Sequence, residues 1–191
     1  MLTQITIILV AYLLGCIAVG YYLVRWQTGK DLHEIGSGAT GGRNTARALG
    51  KTGAVITAIG DVLKGMVAVW IAVWFNSAPW VVALAIVAVL LGHIYPVQLK
   101  FKGGKGLSAA FGAVLVYDYR IALLTALLAG AFSLISRRVT LSFLSAVFCA
   151  WLIALYLGKS WEIAAALFAC AAIIIFAHRE NIKEALNSGK K

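Results

Sequence analysis

The chain of 191 residues is 62% hydrophobic and only 13% charged, with a mean hydropathy of +0.90, which excludes a soluble globule with a polar shell and marks an integral membrane protein. Its 17 Lys and Arg against 7 Asp and Glu give a net charge of +10. Because that charge falls between apolar runs, it argues for membrane orientation and an anionic ligand and against nucleic acid.

In chain order, apolar runs that can wholly or partly cross about 30 Å of hydrocarbon lie at 3–25, 53–75, 79–99, 107–118, 120–136, 140–158 and 161–178. The first has too long an apolar core for a cleaved signal and lacks its basic flank, so it is expected to remain as a span. The fourth, LSAAFGAVLVYD, is short and reads as a partial or steep crossing. Alternation from an outside N-terminus puts fourteen Lys and Arg side chains inside, leaves Arg120 and Lys159 outside, and holds Lys64 within a span, in keeping with the positive-inside rule. The expected fold class is therefore an all-α membrane bundle of seven spans, the fourth short, with the C-terminus cytoplasmic. No loop is long enough for a second domain, so residues 1–191 read as one transmembrane domain. Cys16, Cys149 and Cys170 lie inside apolar runs without metal-ligand spacing and read as small buried hydrophobes.

After the first run comes GSGATGGRNTAR, residues 36–47. Its glycines permit backbone amides to converge on one anion, and RNTARAL reads as the opening of a helix whose N-terminal amides favour phosphate. Arg43 and Arg47 fall on one face of that helix; a flexible linker is the bland alternative. Asp61 and Lys64, i and i+3 within the second run, are expected to pair, since a lone charge there is costly. Lys64 also has the reach to snorkel toward the loops.

The third run ends in GHIYPVQLKFKGGKG, residues 92–106. Lys102 and Lys105 beside Gly103, Gly104 and Gly106 form a second phosphate-cradle signal. It is not a nucleotide-binding P-loop, because Leu99 stands where that loop has its first glycine and Gly106 follows the lysine. No acidic cluster near either loop would hold Mg²⁺, so no metal or cofactor is expected. His93 reads as a helix-end histidine satisfied by a carbonyl. Ser142, after Arg137 and Arg138, offers a hydroxyl or merely bonds its own backbone. In AHRENI, residues 177–182, His178 and Asn181 share a helical face at the end of the last run, where an imidazole and an amide can address one polar substrate.

These three segments together resemble the bacterial acyl-phosphate-dependent glycerol-3-phosphate acyltransferases, the PlsY type, whose motifs run GSGNxGxTNxxR, GHxxPxxxxFKGGKG and (R/K)HxxNI. The resemblance covers essentially the whole chain, in the same order. Ala39, Thr40, Arg43 and Ala177 depart from the usual residues, which leaves open whether Arg43 or Arg47 holds the phosphate. The resemblance implies acyl transfer from acyl phosphate to the 1-hydroxyl of glycerol 3-phosphate, at the cytoplasmic face of a bacterial inner membrane, by a chain that suffices as a monomer and meets lipid as its surroundings. On that reading Lys105, Ser37 and the amides of Gly36, Gly38, Gly103 and Gly104 bind the acyl-phosphate end, and Arg47, Ser142, His178 and Asn181 hold glycerol 3-phosphate. Lys102, Arg43, Asn44, His93 and Lys64 are further candidates for substrate binding. Direct attack is expected, because no Ser or Cys has a His and carboxylate at a recognisable spacing. Two rivals stand beside this reading. Thioester-dependent acyltransferases often carry an HxxxxD motif, which this chain lacks. A transporter of phosphate or an organophosphate would also need basic cradles, but this chain shows no internal repeat and keeps its polar chemistry on one face rather than at the midplane.

Overall fold

In a computed structural model of the chain, residues 1–75 and 78–187 are described, and every regular element among them is helical. The first apolar run is not one helix. α1 (Leu2–Cys16) and α2 (Val19–Thr28) are separated by Ile17 and Ala18, whose ψ angles of 99° and 77° leave the helical ladder. Carbonyls released at such a break need other donors, and side chains supply them. Gln98 Nε2 donates to the Cys16 carbonyl, and Lys64 Nζ donates to the Ile17 carbonyl at 2.7 Å.

α3 (Gly42–Phe75) is 34 residues long with a kink at Gly50 (φ 67°). At 1.5 Å per residue that is about 50 Å of helix, well beyond a hydrocarbon core of about 30 Å, so its first turns carry Arg43 and Arg47 past the apolar run. α4 (Pro79–Ile94) starts with Pro at its first turn, where the missing N–H costs nothing. It stops before Pro96 instead of continuing to residue 99, and a 3-10 turn, Val97–Leu99, takes over the last part of the expected span. α4 is the central helix, with Val81, Ala85, Ile86, Val89 and Leu90 fully buried, as an all-apolar helix requires.

α5 (Leu107–Tyr117) has 11 residues, about 16 Å of rise, and packs along α3. α6 (Tyr119–Ser136) and α7 (Val139–Tyr156) pack against each other, and α8 (Trp161–Ala177) packs on α7 and α4. α9 (Arg179–Asn187) follows a 60° bend at His178. Among the described residues five segments are long and apolar enough to cross a membrane, or six if α8 and α9, bent by 60°, count as one span; α5 is a shorter apolar helix. Exposed Leu9, Leu13, Ile56, Leu63, Leu127 and Phe168 face outward, the surface a lipid environment demands. Small residues let the helices approach closely: a Cβ on Gly15 or Gly92 would strike the backbone of the facing helix where α1 crosses α4.

Candidate active site

The three motifs meet at one end of the bundle around a cavity of about 510 Å³. The start of α3 contributes Arg43 and Arg47, the loop before α5 contributes Lys105, and the α8–α9 junction contributes His178 and Asn181. Ser37 also lines it. The Lys105 ammonium donates to Asn181 Oδ1, which joins the second motif to the third. His178 Nδ1 lies 2.8 Å from the Ile174 carbonyl. A carbonyl can only accept, so Nδ1 carries the proton and the neutral ring keeps Nε2 as its acceptor.

The glycine segments differ from the open cradles expected. In the second loop Gly103 N donates to the Ile94 carbonyl and Gly104 N to the His93 carbonyl, both at 3.0 Å, so these two amides close the end of α4 instead of facing an anion. The positive φ angles fall on Lys100 (52°), Phe101 (62°) and Gly106 (88°). In the first loop Gly36 and Gly38 do adopt positive φ, but Gly38 N donates to the Ile35 carbonyl and Ser37 N to Asn44 Oδ1. Neither Gly36 nor Gly38 lines the cavity.

Asn44 is the organiser of that loop. It is 2% exposed, gives its amide hydrogens to the carbonyls of Leu32 (3.2 Å) and Ile35 (2.8 Å), and accepts from Ser37 N and Arg47 Nη1 (both 3.1 Å). Its polar atoms are therefore engaged in shaping the wall and aiming Arg47. The two loops are also sewn together: Thr40 N donates to the Gly103 carbonyl (3.2 Å), and His33 Nε2 to the Lys102 carbonyl (2.8 Å).

Neither Lys102 nor Ser142 lines the cavity: Lys102 is exposed, whereas Ser142 is buried with its hydroxyl against the Arg138 carbonyl (3.0 Å) and Ser136 Oγ (2.8 Å). Lys64 does not snorkel. Its ammonium is buried and pairs with Asp61 at 2.9 Å as well as capping Ile17. Among the described residues no carbonyl meets the His93 ring at Nδ1, which stands 3.4 Å from Asp61 Oδ1, and both residues form part of the cavity wall.

Ser108, Thr140, Arg179, Glu180 and Glu184 line the cavity too and were missed in the sequence. The signal for Glu184 was its position one turn beyond Asn181 on an amphipathic segment; for Ser108, its place in the first turn after FKGGKG. Lys105 is half-buried, and that burial lowers its pKa from the ordinary lysine value; Glu184 opposes the shift, while Arg43, Arg47 and Arg179 reinforce it. The four cations outnumber the three carboxylates of the same lining, Asp61, Glu180 and Glu184, and favour anionic ligands. Among the described residues, no three His, Cys, Asp or Glu side chains are gathered to hold a metal ion.

A second cavity, about 330 Å³ and almost wholly apolar, lies among α3–α8. It shares Leu107, Ser108 and Phe143 with the polar cavity. The site thus pairs a cationic chamber with an apolar slot, an arrangement fitted to an amphiphile with an anionic end.

The chain is similar to several known proteins over most of its length. The family described as "Glycerol-3-phosphate acyltransferase" matches residues 5–188. A glycerol-3-phosphate acyltransferase of Desulfitobacterium hafniense is 41% identical over 187 residues, covering 96% of this chain and 91% of the relative. One from Thermus thermophilus is 37% identical over 177 residues, with 92% and 88% covered. The crystal structure of PlsY, an integral membrane glycerol 3-phosphate acyltransferase, superposes in its glycerol 3-phosphate form with a TM-score of 0.89 at 35% identity, over 97% of this chain and 92% of that one. Its lysophosphatidic acid form gives 0.86 at 34% identity with the same coverage.

Proposed function

The chain belongs to the glycerol-3-phosphate acyltransferase family, and from that premise we infer that it takes its acyl group from an acyl phosphate and places it on the 1-hydroxyl of glycerol 3-phosphate. The products are lysophosphatidic acid and inorganic phosphate. Membership in an acyltransferase family sets the transporter reading aside. The observation that carries the choice of substrates is the pairing of a chamber bearing Lys105, Arg43, Arg47 and Arg179 with an apolar slot that shares its wall: two phosphates and one acyl chain fit that division.

In this reading the reaction needs no covalent enzyme intermediate. The substrate hydroxyl attacks the acyl carbonyl, a C–O bond forms, and the bond to the phosphate oxygen breaks with phosphate as leaving group. Lys105 with Ser37 engages the acyl-phosphate end, while either Arg43 or Arg47, the latter aimed by Asn44, takes the phosphate of glycerol 3-phosphate. His178 Nε2 is free to accept the hydroxyl proton, and the departing phosphate offers a second acceptor. Asn181 fixes Lys105. Proximity in such a chamber contributes on the order of 7 to 11 kcal/mol, and donors on the developing oxyanion add more. The distribution of basic residues supports an outside N-terminus, seven spans and a site at the cytoplasmic face of a bacterial inner membrane, worked by a single chain.

Purified protein in detergent with palmitoyl phosphate, labelled glycerol 3-phosphate and no added metal tests the donor. Lysophosphatidic acid is expected to form. Activity confined to an acyl thioester would replace acyl phosphate as the donor, and no activity with either would defeat the reading.

A further inference from the structure

Asp61, Lys64 and His93 are 3%, 6% and 5% exposed, three polar side chains held together inside an apolar bundle. Such burial is costly unless each group is engaged, and the proposed chemistry assigns none of them a step. Their connections run in one direction. Lys64 Nζ is fixed by the Ile17 carbonyl (2.7 Å), which is available only because the first apolar run breaks between α1 and α2. It also meets Asp61 Oδ1 at 2.9 Å, and that same oxygen stands 3.4 Å from His93 Nδ1. The latter is longer than a formed hydrogen bond of about 2.7 to 3.2 Å, so the carboxylate orients the ring chiefly through its charge.

The other side of the His93 ring lies against the loop that carries Lys105. A Cβ on Gly104 would collide with the ring, and one on Gly103 would collide with the His93 carbonyl. The Gly103 and Gly104 amides donate to the carbonyls of Ile94 and His93. Glycine is needed here for close approach to a histidine, not for an unusual φ, since neither residue has a positive one. Lys105 follows immediately, with its ammonium on Asn181 of α9.

We propose that Asp61, Lys64 and His93 are positioning residues: a brace, anchored at the α1–α2 break, that holds the Gly103–Gly104 backbone and so sets the place of Lys105 in the chamber. The inference rests on the proposed role of Lys105. It explains why the first run is broken, why two charges are tolerated inside α3, and why the loop is glycine at both places where the ring and its carbonyl are nearest.

The test uses the full-length protein in detergent carrying Asp61→Leu with Lys64→Met, which removes both charges and leaves no unpaired ion. Replacing a buried pair by apolar residues of similar size is often neutral to stability, so the bundle is expected to fold. Amide hydrogen exchange over residues 100–106 is expected to rise about tenfold or more, while α6 and α7 exchange as in the parent. Turnover with palmitoyl phosphate is expected to fall roughly 10- to 100-fold, the scale of a misplaced catalytic group, with KM for glycerol 3-phosphate within about threefold. Unchanged exchange in the loop overturns the brace. Faster exchange with parental turnover overturns its functional part. Lys105→Ala measured alongside separates the two readings: if it too turns over normally, the assignment of Lys105 has failed instead. Should the double variant not fold, His93→Asn takes its place in the same measurements, since it leaves the Asp61–Lys64 pair whole and removes the part of the ring that meets Gly104.

Discussion

Removal of the Lys105 ammonium by Lys105→Ala is the sharpest perturbation of the proposed chemistry. An ammonium has three donors, and one is given to Asn181 Oδ1, which leaves up to two for phosphate oxygens. A hydrogen bond to a charged group contributes about 1.5 to 3 kcal/mol, so two of them amount to roughly 3 to 6 kcal/mol. Arg43, Arg47 and Arg179 line the same chamber and take over part of that charge, which brings the expected loss to about 3 to 4 kcal/mol, or roughly 100- to 1,000-fold in turnover. The assay is initial-rate formation of lysophosphatidic acid from palmitoyl phosphate and labelled glycerol 3-phosphate, on protein shown by thermal unfolding to be folded. Turnover within about threefold of the parent would refute the reasoning, because the Lys105 ammonium is the group that joins the second motif to the third.

Activity is expected to fall at alkaline pH as Lys105 loses its proton. Since burial lowers its pKa, that limb lies below the ordinary lysine value of about 10.4, and Lys105→Arg moves it upward; a pH–rate profile with an unmoved limb counts against the assignment. His178→Ala is expected to lower turnover about 100-fold or more if Nε2 accepts the hydroxyl proton, and only about tenfold if the ring merely orients the substrate, a division that single-turnover rates resolve. Asn181→Ala removes the partner of Lys105 and is expected to cost about tenfold in turnover, near the lower end of what one hydrogen bond to a charged group contributes, read in the same assay.

Away from the site, Asp118 caps α6 through Arg120 N (2.9 Å) and pairs with Arg120 (2.7 Å) and Lys159 (2.6 Å). Arg120, then Lys159, hold its carboxyl well below the usual carboxylate range. Its stabilisation is therefore present above about pH 4 and lost as pH falls toward the depressed value. Asp118→Ala is expected to cost about 2 kcal/mol, from one cap and two partly exposed pairs, and to lower the midpoint of thermal unfolding by about 4 to 8 °C, with turnover unchanged well below that midpoint.

The sequence by itself determined where most of the helices lie and which side chains were candidates for the site, because both are written in short-range patterns. Each of the seven apolar runs falls mainly on helix, although the first holds two helices and the third ends in a 3-10 turn, since a chain in lipid must satisfy its backbone locally, and hydropathy records that demand directly. The motifs likewise pointed to Lys105, Arg43, Arg47, His178 and Asn181, which the fold gathers around one cavity. What only the tertiary structure decided is who partners whom. The break after Cys16 depends on Gln98 and Lys64 arriving from distant segments to take two carbonyls. His93 meets a carboxylate from another helix instead of a carbonyl of its own. The loop amides of Gly103 and Gly104, which looked free for phosphate, are used by the end of α4, and the bend at His178 turns Glu184 toward the chamber. Donors and acceptors in a sequence are a local inventory, but their pairing is set by which helices pack together, and that is a property of the whole bundle.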